Sequence, residues 1–480
     1  MEEKKQQPRF PMGKREIRLG IALLAMGVLT ADFLLYGGFN LGFAVMSLAC
    51  LGTLTGYLLR SGRKLTPYPA ALLIISGICS LSLIRSDDGF VKLVMVCFSL
   101  GAGALGLCLL AGQNRQDPAG ILSLLDACRV IFDFAVGKLP ESWRGVEDAR
   151  KNIGTEGKKR SAVFTGLLIA VPVLAVLILL LSRADAAFEG LLGLLPTVSW
   201  TEPLMALFWG LPLGCLLYTA AAALNHHPSE PLRPAAPGKW DPLTVNTVLI
   251  AVCGVYGVYL FSQLAYFVGG FSGILPEEFT MAEYARRGFF EMAWLSAINL
   301  LVMTAAVGLS RPTRLTRWLC LFIGVVTVFF VVTASGKMLL YIRSYGLTRL
   351  RLLTEVIMVF LALTTVYVSI WLFVPKMPYM KFVMLTALAL GALTAWADVD
   401  TVVAACNVTM YQSGALKGLD VNHLSTLSLG AAPWLERLAD SGSVAARNVL
   451  DQWKDRELTA DLRGWNIALA IARSIFEKLR

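Results

Sequence analysis

Runs of about 20 apolar residues, the length that crosses a bilayer as one helix, recur along almost the whole of this chain. Inside hydrocarbon no water can satisfy the backbone N–H and C=O groups, so runs of this length resolve as helices. They fall near 19–36, 40–59, 68–84, 90–111, 162–182, 203–225, 242–268, 288–309, 316–335, 351–374 and 380–397. The expectation is an all-α fold: a polytopic membrane helix bundle of about 11 spans, followed by a small C-terminal helical domain. Composition agrees, since 56% of the 480 residues are hydrophobic and only 16% charged, well below the share of charge usual in a soluble domain.

The basic start (Lys4, Lys5, Arg9, Lys14, Arg15, Arg18) followed by an apolar run is the pattern of a secretory signal. No small-residue cleavage site precedes Tyr36, so the run reads as an uncleaved first span. The formal charge of +10 does not call for nucleic acid, because the basic residues sit in short loops beside apolar runs. One alternating set of loops holds the N-terminal cluster, Arg60 with Arg63 and Lys64, the connector 113–161, Arg233 with Lys239, Arg311 with Arg314 and Arg317, and Lys376 with Lys381. The intervening set is poorer: Arg85 with Lys92, Arg183, Arg286 with Arg287, and the cluster from Lys337 to Arg351. By the positive-inside rule the N-terminus is expected in the cytoplasm and, with an odd number of spans, the C-terminus outside it.

Two stretches break the apolar pattern. In the connector 113–161, Ile121, Leu124, Leu125, Cys128, Ile131, Phe132 and Ala135 recur at helical spacing, with Asp126, Arg129 and Asp133 on other faces. This predicts a cytoplasmic amphipathic helix that packs its apolar face on the bundle, or else lies on the membrane. From Asp398 onward acidic and basic residues intermingle, and Gly414, Gly418, Gly430, Ser441 and Gly442 punctuate helix-length segments. The expected division is therefore a transmembrane domain, 1–397, and an extracytoplasmic helical domain, 398–480.

Motifs that carry chemistry are scarce. Gly101, Gly103 and Gly106 form a G-x-G-x-x-G, but inside an apolar span with no preceding strand, where small residues serve close helix packing. His226 and His227 fall on the opposite side of the expected bilayer from His423, so they do not form one metal site, and the nine cysteines show no metal spacing. No cofactor, metal or catalytic residue is expected. Span centres carry neutral polar groups such as Gln263 and Asn299 rather than charges, which counts against an ion-coupled transporter.

Charge gathers instead at one set of span ends: Glu283, Arg286, Arg287, Glu291, Lys337, Tyr341, Arg343, Tyr345, Arg349, Arg351 and Glu355. Glu283, Arg287 and Glu291 follow one another at helical spacing, as do Arg351 and Glu355. The expectation is one polar site that takes an anionic headgroup or phosphate, with Glu283, Glu291 or Glu355 bonding to Arg349 or Arg351. The plainer alternative is that these residues anchor the hairpin at the interface.

The segments MAEYARRGFFE (Met281 to Glu291), YIRSYGLTRLRL (Tyr341 to Leu352), and DVDTVVAACNVTMY with VNHLSTLSL (Asp398 to Leu429) resemble a bacterial membrane-protein family. That family is known as a domain of unknown function, number forty-one seventy-three, a sibling of forty-one fifty-three. The likeness covers the second half of the chain; the first half agrees only in hydropathy. It implies a multi-pass protein of the bacterial cell membrane with a helical tail and no assigned activity. Two functional classes follow. One is an envelope sensor, scaffold or assembly component that binds a protein partner through its outer helical domain. The other is an enzyme or flippase handling an anionic lipid-linked substrate at the outer leaflet.

Overall fold

The computed structural model describes residues 13–118, 120, 123–151, 201–226, 240–271, 289–454 and 461–479, with isolated positions between 166 and 184 and without the side chains of 146–151 and 263–271. The expected span at 162–182 lies outside the continuously described residues. Among those described, nine helices are long and apolar enough to cross a membrane, and no strand is formed. A tenth apolar helix, Pro67–Ser82, has 16 residues, about 24 Å at 1.5 Å per residue. The fold is all-α, and the chain is an integral membrane protein.

By its contacts the chain divides into two units, 1–232 with 457–473 and 233–456 with 474–480. In the first, α1 (Lys14–Gly37), α2 (Leu41–Arg60), α3 (Pro67–Ser82) and α4 (Gly89–Ala111) are followed by α5 (Ser123–Arg129), a π-helical stretch (Val130–Gly137), α6 (Leu139–Lys151) and α7 (Thr201–His226). The closest crossing joins α1 to α7. There Gly27 faces Gly210 and Gly214 so tightly that a Cβ on any of the three would overlap the opposite backbone. Lipid tails are as apolar as leucine, so helices in a bilayer gain from packing rather than from burial, and small residues let the backbones approach. On α4, Gly103 and Gly106 meet Ser76 and Leu73 of α3, while Gly101 meets nothing. Beside them the hydroxyls of Ser76 and Ser80 reach Ser99, at 3.2 and 2.7 Å, and Ser76 also donates to the Ser99 carbonyl. The glycine motif thus serves helix packing.

The two ends of this unit carry different polar groups. At one, Arg15 donates to the Tyr57 carbonyl at 2.7 Å, the Asn225 amide donates to the Tyr57 hydroxyl, and Arg63 donates to the Asn225 carbonyl. At the other, the segment 461–467 docks: Leu41 N–H donates to the Trp465 carbonyl and Ile467 N–H to that of Ile84. The start of α1 and the segment 461–467 therefore lie at opposite ends of the same bundle.

The connector reverses the expected inside and outside. Ser123, Asp126, Ala127, Val130 and Phe134 are buried, whereas Leu124, Leu125, Cys128, Ile131 and Phe132 are exposed; Ile121 lies outside the described residues. Polar groups turn inward because they have partners there. Asp126 accepts from the N–H groups of Arg115 and Gln116, both at 3.1 Å, and Arg129 donates to the Gln113 carbonyl at 3.0 Å.

The second unit holds α8 (Pro242–Phe271), α9 (Phe289–Leu309), α10 (Arg314–Tyr345), α11 (Arg349–Trp371) and α12 (Tyr379–Ala397). Their shared core includes Tyr256, Met303, Ile323, Phe330 and Val368. A buried chain of neutral polar groups crosses it: Tyr256 donates to the Asn299 oxygen at 2.5 Å, and the Asn299 nitrogen donates to Thr327 at 2.9 Å. Thr313 caps α10 through the N–H of Thr316. With 32 residues, α10 is about 48 Å long, well beyond a hydrocarbon core of about 30 Å, so one end must project from the bilayer.

The tail follows as α13 (Val399–Gln412), α14 (Val421–Ser425), α15 (Ala432–Asp440), α16 (Val444–Lys454) and α17 (Ile467–Lys478), the last divided between the two units after residue 473. Leu424, Leu435, Leu438, Leu450 and Trp453 are buried within it. α15, α16 and α17 are shorter and more amphipathic than the spans, as expected for a core built against water on one side.

Candidate functional site

The hairpin between α10 and α11 begins where α10 stops at Gly346, whose φ of 77° lies in the left-handed region and whose N–H donates to the Ile342 carbonyl. Thr348 starts α11 by accepting from the Arg351 N–H. Between these caps, Leu347 has backbone groups that belong to neither helix. Asn407 of α13 meets both: its oxygen accepts from the Leu347 N–H at 2.6 Å, and its nitrogen donates to the Leu347 carbonyl at 2.8 Å. One amide side chain supplies one acceptor and one donor, the complement of one residue's backbone.

Two residues on, Arg349 makes a two-pronged pair with Asp400, Nε to Oδ1 at 2.5 Å and a terminal nitrogen to Oδ2 at 2.6 Å. Asp400 is fully buried, while the Arg349 side chain is 38% exposed. Oδ2 of Asp400 also accepts from the Ser428 N–H at 2.7 Å. The planar guanidinium matches the carboxylate fork, and the further N–H helps offset the cost of burying that charge. Nearby, Asp398 breaks α12 from α13 at a positive φ of 59°. The Thr401 hydroxyl lies 2.7 Å from the Asp398 carboxylate and 2.9 Å from the Gly430 carbonyl. Three of the four family-like stretches, 341–352, 398–411 and 421–429, therefore meet in one hydrogen-bonded junction.

The other predicted residues divide into smaller groups. Arg351 donates to the carbonyls of Tyr345 and Gly346 and lies over the Tyr341 ring, 4.1 Å from its centroid. The Tyr341 and Tyr345 rings are 5.1 Å apart. Glu291 acts electrostatically on Lys337, and Ser335 bonds to the Glu355 carboxylate. Arg343 and Tyr345 are exposed. Glu283, Arg286 and Arg287 lie outside the described residues. Among the described residues no carboxylate pairs with Arg351, and Arg349 pairs with Asp400 rather than with Glu291 or Glu355. The expected pairing with Glu291 or Glu355 is corrected on that ground, since the hairpin turns Arg349 toward the buried acid of the tail, while the expected pairing with Glu283 lies outside the described residues.

A second polar junction belongs to the first unit. Buried Lys92 donates to Asn40 at 2.5 Å and lies 3.5 Å from Asp87, and Asn466 donates to both Asn40 and Asp87 at 3.1 Å. Arg463 contacts Asp32, Glu202 and Asp461 at 3.4, 3.0 and 3.3 Å. The bond to Glu202, with these neighbouring carboxylates, raises the Arg463 pKa above its ordinary value and keeps it charged. Among the described residues no cluster of His, Cys, Asp and Glu could hold a metal ion.

Sequence reasoning missed Asp400, Asn407 and Ser428 as partners of the hairpin. The available signal was an unsatisfied backbone at Gly346-Leu347-Thr348 between two long helices, together with acids and an amide in the family-like tail segment. No curated protein and no solved structure matches the chain. A family model does match, over residues 70–438, a range that takes in the hairpin, Asp400, Asn407 and Ser428. With more than half of its length so covered, the chain belongs to the family described as Domain of unknown function (DUF4153).

Proposed function

We propose that this protein is an envelope scaffold or sensor of the bacterial cell membrane, whose helical tail binds a protein partner on the extracytoplasmic side. The observation that carries this reading is the Arg349–Asp400 pair. A site for an anionic substrate needs guanidinium groups still able to bond to it. Here Arg349 is engaged by a buried carboxylate, and Arg351 by two carbonyls and a tyrosine ring. What the hairpin does with its charge is hold the tail. The placement of the start of α1 and of the segment 461–467 at opposite ends of one bundle supports a cytoplasmic N-terminus and an outer tail, given the positive-inside pattern. The closer kinship we infer with family forty-one seventy-three rests on the hairpin and tail motifs.

The second reading, an enzyme or flippase for an anionic lipid-linked substrate, draws on Arg343, exposed near the end of α10. Photo-crosslinkers placed at Tyr411 and Val444, both exposed on the tail, test the first reading in cells. Capture of one discrete envelope protein is the expected result. Headgroup transfer or lipid flipping by the purified protein in liposomes, abolished by Arg343→Ala, would replace it with the second.

A further inference from the structure

We propose that the segment from Ser123 to Trp143 lies in the plane of the membrane interface, with its exposed apolar stripe against lipid and its opposite edge, where Asp126 sits among Ala127, Val130 and Phe134, against the protein. The exposed residues Leu124, Leu125, Cys128, Ile131, Phe132, Val136, Leu139 and Trp143 form a stripe at helical spacing along α5, the π-helical stretch and α6. Phe132 is 68% exposed, whereas Asp126, six positions earlier and on the other side of the helix, is 2% exposed. A soluble amphipathic helix shows the opposite arrangement, with the apolar stripe turned inward.

The polar groups of the protein-facing edge are bonded rather than merely hidden. Asp126 accepts two backbone N–H groups of the loop that leaves α4, and Arg129 donates to the Gln113 carbonyl in the same loop. The Gln113 amide in turn donates to the Leu224 carbonyl near the end of α7. This chain of bonds fixes the segment at the ends of two helices long and apolar enough to be spans, α4 and α7. Its depth is therefore the depth at which hydrocarbon gives way to headgroups.

The occupant follows from that depth. The apolar stripe lies beside helices long and apolar enough to be spans, and Trp143 at its end is a residue favoured at the headgroup level. In-plane helices of this kind bury their apolar side shallowly at the boundary between headgroups and acyl chains. A lipid surface covers the stripe without any further protein.

The test uses the full-length protein, with the exposed native Cys97 and Cys128 replaced by Ser, in nanodiscs of phosphatidylethanolamine and phosphatidylglycerol, with an environment-sensitive fluorophore on one introduced cysteine at a time. Leu124→Cys and Phe132→Cys report on the stripe, and Val444→Cys on the water-exposed tail serves as reference. Residues 124 and 132 are exposed, so labelling them does not disturb the packing that holds the segment. The expected result is that lipids spin-labelled high on the acyl chain quench positions 124 and 132 several-fold more than aqueous iodide does, with the order reversed at 444. Stronger quenching by iodide at 124 and 132 would overturn the proposal. So would protection from both quenchers, which would mean that a second copy or another protein covers the stripe.

Discussion

The carboxylate of Asp400, fully buried, holds the guanidinium of Arg349 through both of its oxygens, at 2.5 and 2.6 Å. A half-open arginine and a closed-in acid make an asymmetric pair: water can still reach one charge but not the other. Replacing Arg349 by Ala strands the buried acid with only the Ser428 N–H. A fully buried pair would lose about 3–5 kcal/mol in that way; exposure of the arginine lowers the expectation to about 2–3 kcal/mol. Arg349→Lys should lose less, because the charge stays and one prong goes. Thermal unfolding of the purified protein measures both, and the double variant with Asp400→Asn should recover part of the loss. A change below about 1 kcal/mol for Arg349→Ala would place the pair among ordinary surface bridges.

Asn407 supplies a second, uncharged hold on the same hairpin. Truncation to Ala leaves the N–H and C=O of Leu347 without their partner, at a cost of about 1–3 kcal/mol for each buried group that water cannot reach. Hydrogen exchange at the Leu347 amide should quicken. Asn407→Asp keeps the acceptor and forfeits the donor, so the amide should stay protected while global stability falls. Equal exchange in the two variants would argue that the loop is held by other means.

Arg351 should behave differently from its neighbour. It meets carbonyl oxygens and the Tyr341 ring rather than a carboxylate among the described residues. Substitution by Ala strands no charge, and the expected loss is about 1–2 kcal/mol, from the carbonyl bonds and the ring contact. Tyr341→Leu should remove part of that loss in combination. Additive losses in the double variant would show that the ring contact contributes nothing.

The crossing of α1 and α7 makes a steric prediction. Even Gly214→Ala drives a methyl group into the backbone of α1 near Leu24, and overpacking of this kind costs about 1–3 kcal/mol. Gly254→Ala on α8, where a methyl meets open space, is the control and should leave stability near the original value. Melting curves of the two variants in the same detergent provide the comparison.

The spans were legible because length and hydropathy alone decide them, and α1, α2, α4, α7 and α8–α12 fall close to the runs read from the sequence. The ends of α10 and α11 were legible from Gly346 and from the charge around it. Asp400 was not, since an acid in the first turn of a helix is ordinary at the surface, and its burial depends on Ser428, 28 residues away. For α5 the sequence left two readings, its apolar face packed on the bundle or laid on the membrane, for a related reason. Periodicity separates apolar from polar edges, but hydrophobic contact is non-directional, so the pattern does not say whether lipid or protein covers the apolar edge.

The docking of Asn466 on Asp87, 379 positions apart in the chain, has a consequence for biogenesis. At about 5–20 residues per second of synthesis, Lys92 and Asn40 wait on the order of tens of seconds after insertion for the amide that completes their junction. Until then the junction among the first four helices is an open polar socket. The closing segment is made after α1 to α12, so a chain cut before Asp461 would insert those spans and yet keep that socket permanently unfilled, a form that quality-control proteases could recognise.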